Sequence, residues 1–256
     1  MRLVLELCYE GTAFFGWQIQ KNQISVQQVI QEGLQQLCSR PIEIVGCGRT
    51  DTGVHAKKYY AHFDIEEHEL CNLSVYKINA VLPQEIAITE LYNVDDKFHA
   101  RFDANHRKYI YKIHNRKDPF ARQYSFYYNS ISTEHLDSLN CIAEIIRQTS
   151  DFRTFAKSNS GLENFNCTVT ECIWKVISDN EFEFHIAANR FVRGMVRLCV
   201  GACLSFAANK ISLDELNEAI KSGTQLQKNW SVPAHGLSLT EVNYPDSIQL
   251  NKAIIQ

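Results

Sequence analysis

The stretch Gly46-Cys47-Gly48-Arg49-Thr50-Asp51-Thr52-Gly53-Val54-His55-Ala56 gathers one carboxylate, one guanidinium and small side chains among three glycines. Glycines at that density permit left-handed backbone and close approach of a ligand to the main chain. The run follows the apolar Ile42 to Val45, which reads as a buried strand. A strand ending in a glycine-lined turn with a single acid beside a cation suits covalent or acid–base chemistry. The Arg49 charge would hold Asp51 ionised by lowering its pKa. The same residues also fit an aspartate that caps a turn through its own backbone. Spacing alone leaves both readings open.

Strands and helices must position that turn, and the pattern supplies them. Leu3, Leu5, Leu7 and Tyr9 alternate with Arg2, Val4, Glu6 and Cys8, which predicts a first strand. Gly11-Thr12 opens a loop that ends at Gly16-Trp17-Gln18. Ser25 and Gln28 have the spacing of a capping box. Val26, Val29, Ile30, Gly33, Leu34 and Leu37 then recur at helical spacing, returning the chain to the strand before Asp51. Tyr59 to Phe63 reads as a strand, Ser74 to Val81 as a short helix stopped by Pro83, and Ile86 to Tyr92 as a further strand.

The second half repeats the alternation. Thr133 to Thr149 predicts a helix with Leu136, Leu139, Ala143 and Ile146 on one face. Ser158-Asn159-Ser160-Gly161 reads as a mobile loop. Thr168 to Ile177 and Phe182 to Ala187 read as a hairpin about Asp179-Asn180. Phe191 to Ala208 predicts an amphipathic helix. Ser212 and Glu215 form a second capping box, and Leu237 to Val242 reads as a closing strand. The expectation is an α+β chain of two α/β subdomains, 1–104 carrying the Asp51 loop and 105–256 following it.

Composition narrows the function classes. A net charge of −3 does not mark a nucleic-acid binder, so any such role rests on local patches. The nine cysteines form no CxxC pair and no zinc-finger spacing, which predicts free thiols in a reducing compartment and no metal. There is no Walker loop, no G-x-G-x-x-G and no apolar run of the ~18 residues needed to span a bilayer. A cytoplasmic protein without membrane segments is expected. Lys97 to Lys117 holds seven Lys or Arg against one acid, Asp103, with Phe98, Phe102, Tyr109 and Tyr111 interleaved. That mixture suits RNA, with cations on phosphates and rings on unpaired bases, or else an ordinary strand pair with a charged face.

Gly48-Arg49-Thr50-Asp51-Thr52-Gly53-Val54-His55-Ala56 resembles the signature of the TruA-type tRNA pseudouridine synthases, usually GRTDAGVHA. The likeness continues at Tyr9-Glu10-Gly11-Thr12, Gly16-Trp17-Gln18, Ser25-Val26-Gln27 and Phe98-His99-Ala100-Arg101-Phe102. It runs on through Tyr109-Ile110-Tyr111, Met195-Val196-Arg197 with Gly201, and His235-Gly236-Leu237. The resemblance implies two lobes with mostly antiparallel sheets around a basic cleft. It also implies isomerisation of uridine at positions 38–40 of the tRNA anticodon stem-loop, by a homodimer that uses no cofactor.

By that resemblance Asp51 is the catalytic carboxylate, acting on ribose C1′ or C2′. Tyr109 stacks on the target base, and Arg197 binds at the substrate and pairs with the carboxylate. Arg49 helps extrude the nucleotide, and Phe98, His99, Ala100, Arg101 and Phe102 contact tRNA. His55 belongs to the loop rather than to the chemistry. Cys47 and Thr52 replace alanines, and Asn166-Cys167-Thr168 lacks an arginine common among relatives. Arg190, Arg193 and Arg197, at i, i+3 and i+7, would form one basic stripe on a helix. Two rivals remain: a tRNA-binding module without catalysis, against which the Gly-lined acid argues, and an Asp-dependent hydrolase, which usually needs a second carboxylate near Asp51.

Overall fold

Leu3, Leu5 and Leu7 do alternate into a core. In this computed structural model, which describes residues 1–157, 161, 163–227 and 230–253, β1 (Arg2–Tyr9) buries all three together with Val4. The chain divides into two compact units, residues 1–106 with 239 onward, and residues 107–238.

In the first unit β1 lies between antiparallel β3 (His55–Asp64) and β4 (Ile86–Val94), so that Leu5 faces both Ala61 and Leu91 across the ladders. A short β2 (Ile44–Gly46) pairs with β3, Ile44 opposite Phe63. The strand expected from Ile42 is therefore shorter, and Val45 points outward at 39% exposure because successive side chains alternate faces. α1 (Val26–Cys38) starts at Ser25, whose Oγ accepts the Gln28 amide at 3.3 Å. The Gln28 side chain donates to Glu32 instead of closing a capping box. α2 (Val75–Val81) is capped by Ser74. Two late segments complete the sheet: β9 (Leu237–Asn243) joins β3, and β10 (Asn251–Lys252) joins β4.

In the second unit β5 (His106–His114) pairs antiparallel with β8 (Glu181–Ala188), which pairs with β7 (Val169–Ser178) around the Asp179-Asn180 turn. β6 (Phe126–Tyr127) adds a short parallel pairing at the end of β5. Phe182, Phe184 and Ile186 are buried as the alternation predicts. α3 (Leu136–Gln148) packs on β7 and on α4 (Met195–Ala207). α5 (Leu213–Ser222) begins with the expected box of Ser212 and Glu215. Each unit is thus a mostly antiparallel sheet with helices packed on it. The loop expected at 158–161 lies, apart from Gly161, outside the described residues.

Two expectations for the 191–208 segment need correction. The helix begins only at Met195, because Gly194 stands before it in the left-handed region with φ 77°, where helical hydrogen bonding cannot continue. Arg190 and Arg193 precede the helix and do not share a helical stripe with Arg197. Nor is α4 amphipathic: Met195, Val196 and every residue from Cys199 to Ser205 are buried, as befits a helix enclosed by its neighbours.

Candidate active site

The Asp51 loop runs from Cys47 to Val54, between β2 and β3, and the 9–17 segment braces it. Tyr9 Oη and Thr50 Oγ1 lie 2.9 Å apart. The Gly53 amide donates to the Phe14 carbonyl at 3.3 Å, the Val54 amide to the Asp51 carbonyl at 3.1 Å, and the Tyr59 hydroxyl to the Gly48 carbonyl. Beneath the loop Trp17 stacks on Tyr59 at 4.2 Å, and Tyr9 meets Tyr59 edge-on at 5.6 Å. A Cβ on Gly16 would overlap the Thr50 carbonyl oxygen, and Gly16 has φ 82°, so only glycine allows the two segments to touch there. His55 is buried, and its Nδ1 accepts the Gly11 amide at 3.0 Å. That contact makes His55 part of the loop's support. Cys47 is fully buried and Thr52 exposed, so both small replacements fit. The result is a half-buried Asp51 on a turn fixed from three sides.

Arg49 is exposed two residues earlier, in the loop itself rather than in a strand. It lines a recess with Trp17, Gln27, Gly48 and Arg101. Two arginines 52 positions apart in the chain are therefore set by the fold on one concavity. Their supports differ. Gln27, buried at the start of α1, accepts from Gln18 Nε2 at 2.7 Å and from the Ile19 amide at 3.1 Å. It donates to the Ile44 carbonyl at 2.8 Å. One side chain thus ties the Trp17-Gln18 loop to the strand that leads to Asp51.

The 98–102 turn has a buried root and an exposed tip. Phe98 and Ala100 are 4% and 0% exposed, whereas Arg101 is exposed and Phe102 is 74% exposed. Arg2 donates to the Phe98 carbonyl at 2.7 Å, and Tyr244 Oη to the Ala100 carbonyl at 2.8 Å. His99 Nδ1 accepts the amides of Arg101 and Phe102, both at 3.2 Å. Arg101 lies over the Phe102 ring, 5.6 Å from its centroid. Phe98 and Ala100 therefore hold the turn, while His99, Arg101 and Phe102 present it.

In the second unit Tyr109 is half-buried on β5, opposite Ile186, with its ring edge-on to Phe191 at 5.0 Å. Arg197 lies in the first turn of α4. Its Nε donates to the Val232 carbonyl at 2.6 Å, and its carbonyl accepts the Val232 amide at 3.3 Å. Tyr111 Oη donates to the Pro233 carbonyl at 2.8 Å. Burial pushes the Tyr111 phenol well above its ordinary value, with the Arg197 charge pulling the other way. A Cβ on Gly236 would come within 2.8 Å of the Tyr111 ring, which accounts for glycine there. Cys167 is buried, and burial pushes its thiol up to about 11, so an uncharged residue suits that position. Among the described residues no His, Cys, Asp or Glu cluster converges for a metal ion, and no helix is long and apolar enough to cross a membrane.

A model of the tRNA pseudouridine synthase family matches residues 8–103 and 149–245, both strands flanking the Asp51 loop included. The chain belongs to the tRNA pseudouridine synthase family. Proteins called tRNA pseudouridine synthase A are similar along nearly the whole of this chain. The one from Azobacteroides pseudotrichonymphae is 38% identical over 250 residues, covering 98% of this chain and 99% of its own. That from Parabacteroides distasonis is 36% identical over 249 residues, with 96% and 97% covered. That from Gloeobacter violaceus is 32% identical, with 96% and 81% covered. Enzymes of this family are isomerases, and the family match leaves out residues 104–148.

Sequence reading did not single out Gln27, His62 or Tyr244 as site supports. His62 is buried in β3, and its Nδ1 accepts the Ala100 amide. Of these only Gln27 left a trace in the sequence, as the last residue of the Ser25-Val26-Gln27 motif.

Proposed function

We propose that this chain converts uridine to pseudouridine at positions 38–40 of the tRNA anticodon stem-loop, with Asp51 as the reacting carboxylate. The bond between ribose C1′ and N1 breaks, the base turns, and C5 joins C1′. The C5 proton is lost and N1 gains one, so atoms balance without redox change. The observation that carries the proposal is Asp51 on a clamped, glycine-lined turn whose neighbour Arg49 shares a recess with Arg101.

A nucleotide within RNA must leave its stack before its sugar meets a carboxylate, at a cost of a few kcal/mol. Arg49, exposed at the loop, has the reach and charge to hold the extruded phosphate or the vacated stack. Arg101 and Phe102 meet the RNA, His99 and Ala100 setting their direction and Phe98 anchoring them in the core. Tyr109 takes the base and Arg197 binds at the substrate, the roles their motifs carry in the family. The working form is a homodimer in the cytoplasm, acting without a cofactor.

Incubation with unmodified tRNA, followed by chemical mapping of pseudouridine, tests this reading. Modification within positions 38–40 in buffer with chelator and no added cofactor is the expected result. Modification elsewhere, or none, overturns the positional assignment.

A further inference from the structure

Residues 116–124, within the stretch that the family match leaves out, form an exposed turn that combines cations with aromatic rings. Arg116, Lys117 and Arg122 are exposed, Tyr124 is 50% exposed and Phe120 is 94% exposed. No other large apolar side chain among the described residues stands so far into solvent. The root of the turn is fixed. Tyr128 donates its amide to the His114 carbonyl at 2.9 Å, Ser125 Oγ lies 2.8 Å from His114 Nδ1, and the Asn115 amide donates to Asn180 at 3.1 Å. The tip is shaped as well. Asp118 Oδ1 accepts the Phe120 amide at 2.8 Å, and the Tyr124 and Ser125 amides both donate to the Ala121 carbonyl at 3.0 Å.

Backbone and polar side chains therefore hold this turn, and Phe120 adds nothing to its own fold. A phenyl ring displayed in water gains nothing until something covers it. The three cations of the same turn, against the single acid Asp118, decide what that is. An apolar protein partner would have to bury them without counter-charge. RNA supplies phosphates for the cations and an unstacked base for the ring. We infer that residues 116–124 are a second RNA contact, separate from the Asp51 loop, in which Phe120 stacks on an unpaired base and Arg116, Lys117 and Arg122 meet phosphates. The inference rests on the proposal that tRNA is the substrate.

The test uses the full chain and unmodified tRNA. Phe120→Ala is expected to raise Kd about 5- to 150-fold, the range of one lost base–aromatic stack. The triple replacement Arg116→Gln, Lys117→Gln, Arg122→Gln is expected to lower the slope of log K against log salt by about 2 to 3. Both changes lie on exposed side chains, and thermal melts should match the unaltered chain. Unchanged Kd and slope would remove this contact, while pseudouridine formation by the unaltered chain would leave the proposed function intact. A changed assembly mass in sedimentation with tRNA affinity preserved would also overturn it, since the ring would then join two copies of the chain. If the unaltered chain formed no pseudouridine and Phe120→Ala still lost tRNA, the contact would stand and the catalytic proposal would fall.

Discussion

His62 Nδ1 accepts the amide proton of Ala100 at 3.1 Å, so a buried imidazole in β3 fixes the turn that presents Arg101. That nitrogen accepts only while unprotonated. Burial pushes the His62 pKa down from 6.5 to about 4; Arg2 and His99 push the same way, and Asp64 and Asp103 oppose them. On acidification the unfolded chain takes up this proton first. The stability that His62 contributes is therefore complete above about pH 6.5 and is lost as the pH falls towards about 4. Urea midpoints measured at steps from pH 7 to 4.5 should fall less steeply for His62→Asn, whose Oδ1 accepts without titrating. Parallel profiles would show that folded and unfolded chains bind this proton alike, which would rule out the depressed His62 pKa.

Replacing Asp51 with Asn keeps the size of the side chain and removes its charge. Pseudouridine formation should drop by roughly a thousandfold or more, the scale of losing a reacting acid or base. Binding of tRNA should stay within several-fold, because the surrounding arginines remain. Normal turnover by this variant would end the assignment of Asp51.

Arg101 stands at the tip of a turn whose root is buried, so truncation leaves the fold alone. Arg101→Ala should weaken tRNA binding and reduce the salt slope by about 1, the signature of one phosphate contact. Filter binding at several salt concentrations reads both quantities. An unaltered slope would remove Arg101 from the RNA surface.

Gln27 holds three partners from a buried position. Gln27→Leu keeps the bulk but orphans the Ile44 carbonyl and the Ile19 amide. A loss of about 2 to 4 kcal/mol in denaturant unfolding is expected. Pseudouridine formation should fall too, through looser placement of the Asp51 loop. Stability equal to the unaltered chain would mean that water replaces those hydrogen bonds.

Much of the fold was legible in sequence because burial writes a period. The alternation in β1 and β8, the Ser25 and Ser212 caps and the Asp179-Asn180 turn all stand where the pattern places them. The helix over 191–208 misled because its apolar content continues upstream of Gly194, and only a backbone angle stops it. At the site, residue types marked Asp51 and Arg49 as candidates, and the family resemblance added Arg101. They did not reveal that Arg49 and Arg101 line one recess, nor that His62 and Tyr244 hold the turn between. Those relations join residues far apart in the chain, and local spacing carries no record of them.

The chain leaves and re-enters the first unit. Residues 107–238 form a continuous stretch that can close as soon as it emerges from the ribosome. The 98–102 turn instead waits for Asn243, whose carbonyl takes the Asn105 amide, and for Tyr244, whose hydroxyl reaches Ala100. During synthesis the surface that presents Arg101 is thus finished last, more than a hundred residues after it is made. A nascent polypeptide passes through most of its translation with that surface unfinished, and premature termination between Ser238 and Asn243 would leave residues 107–238 whole but the turn unsupported.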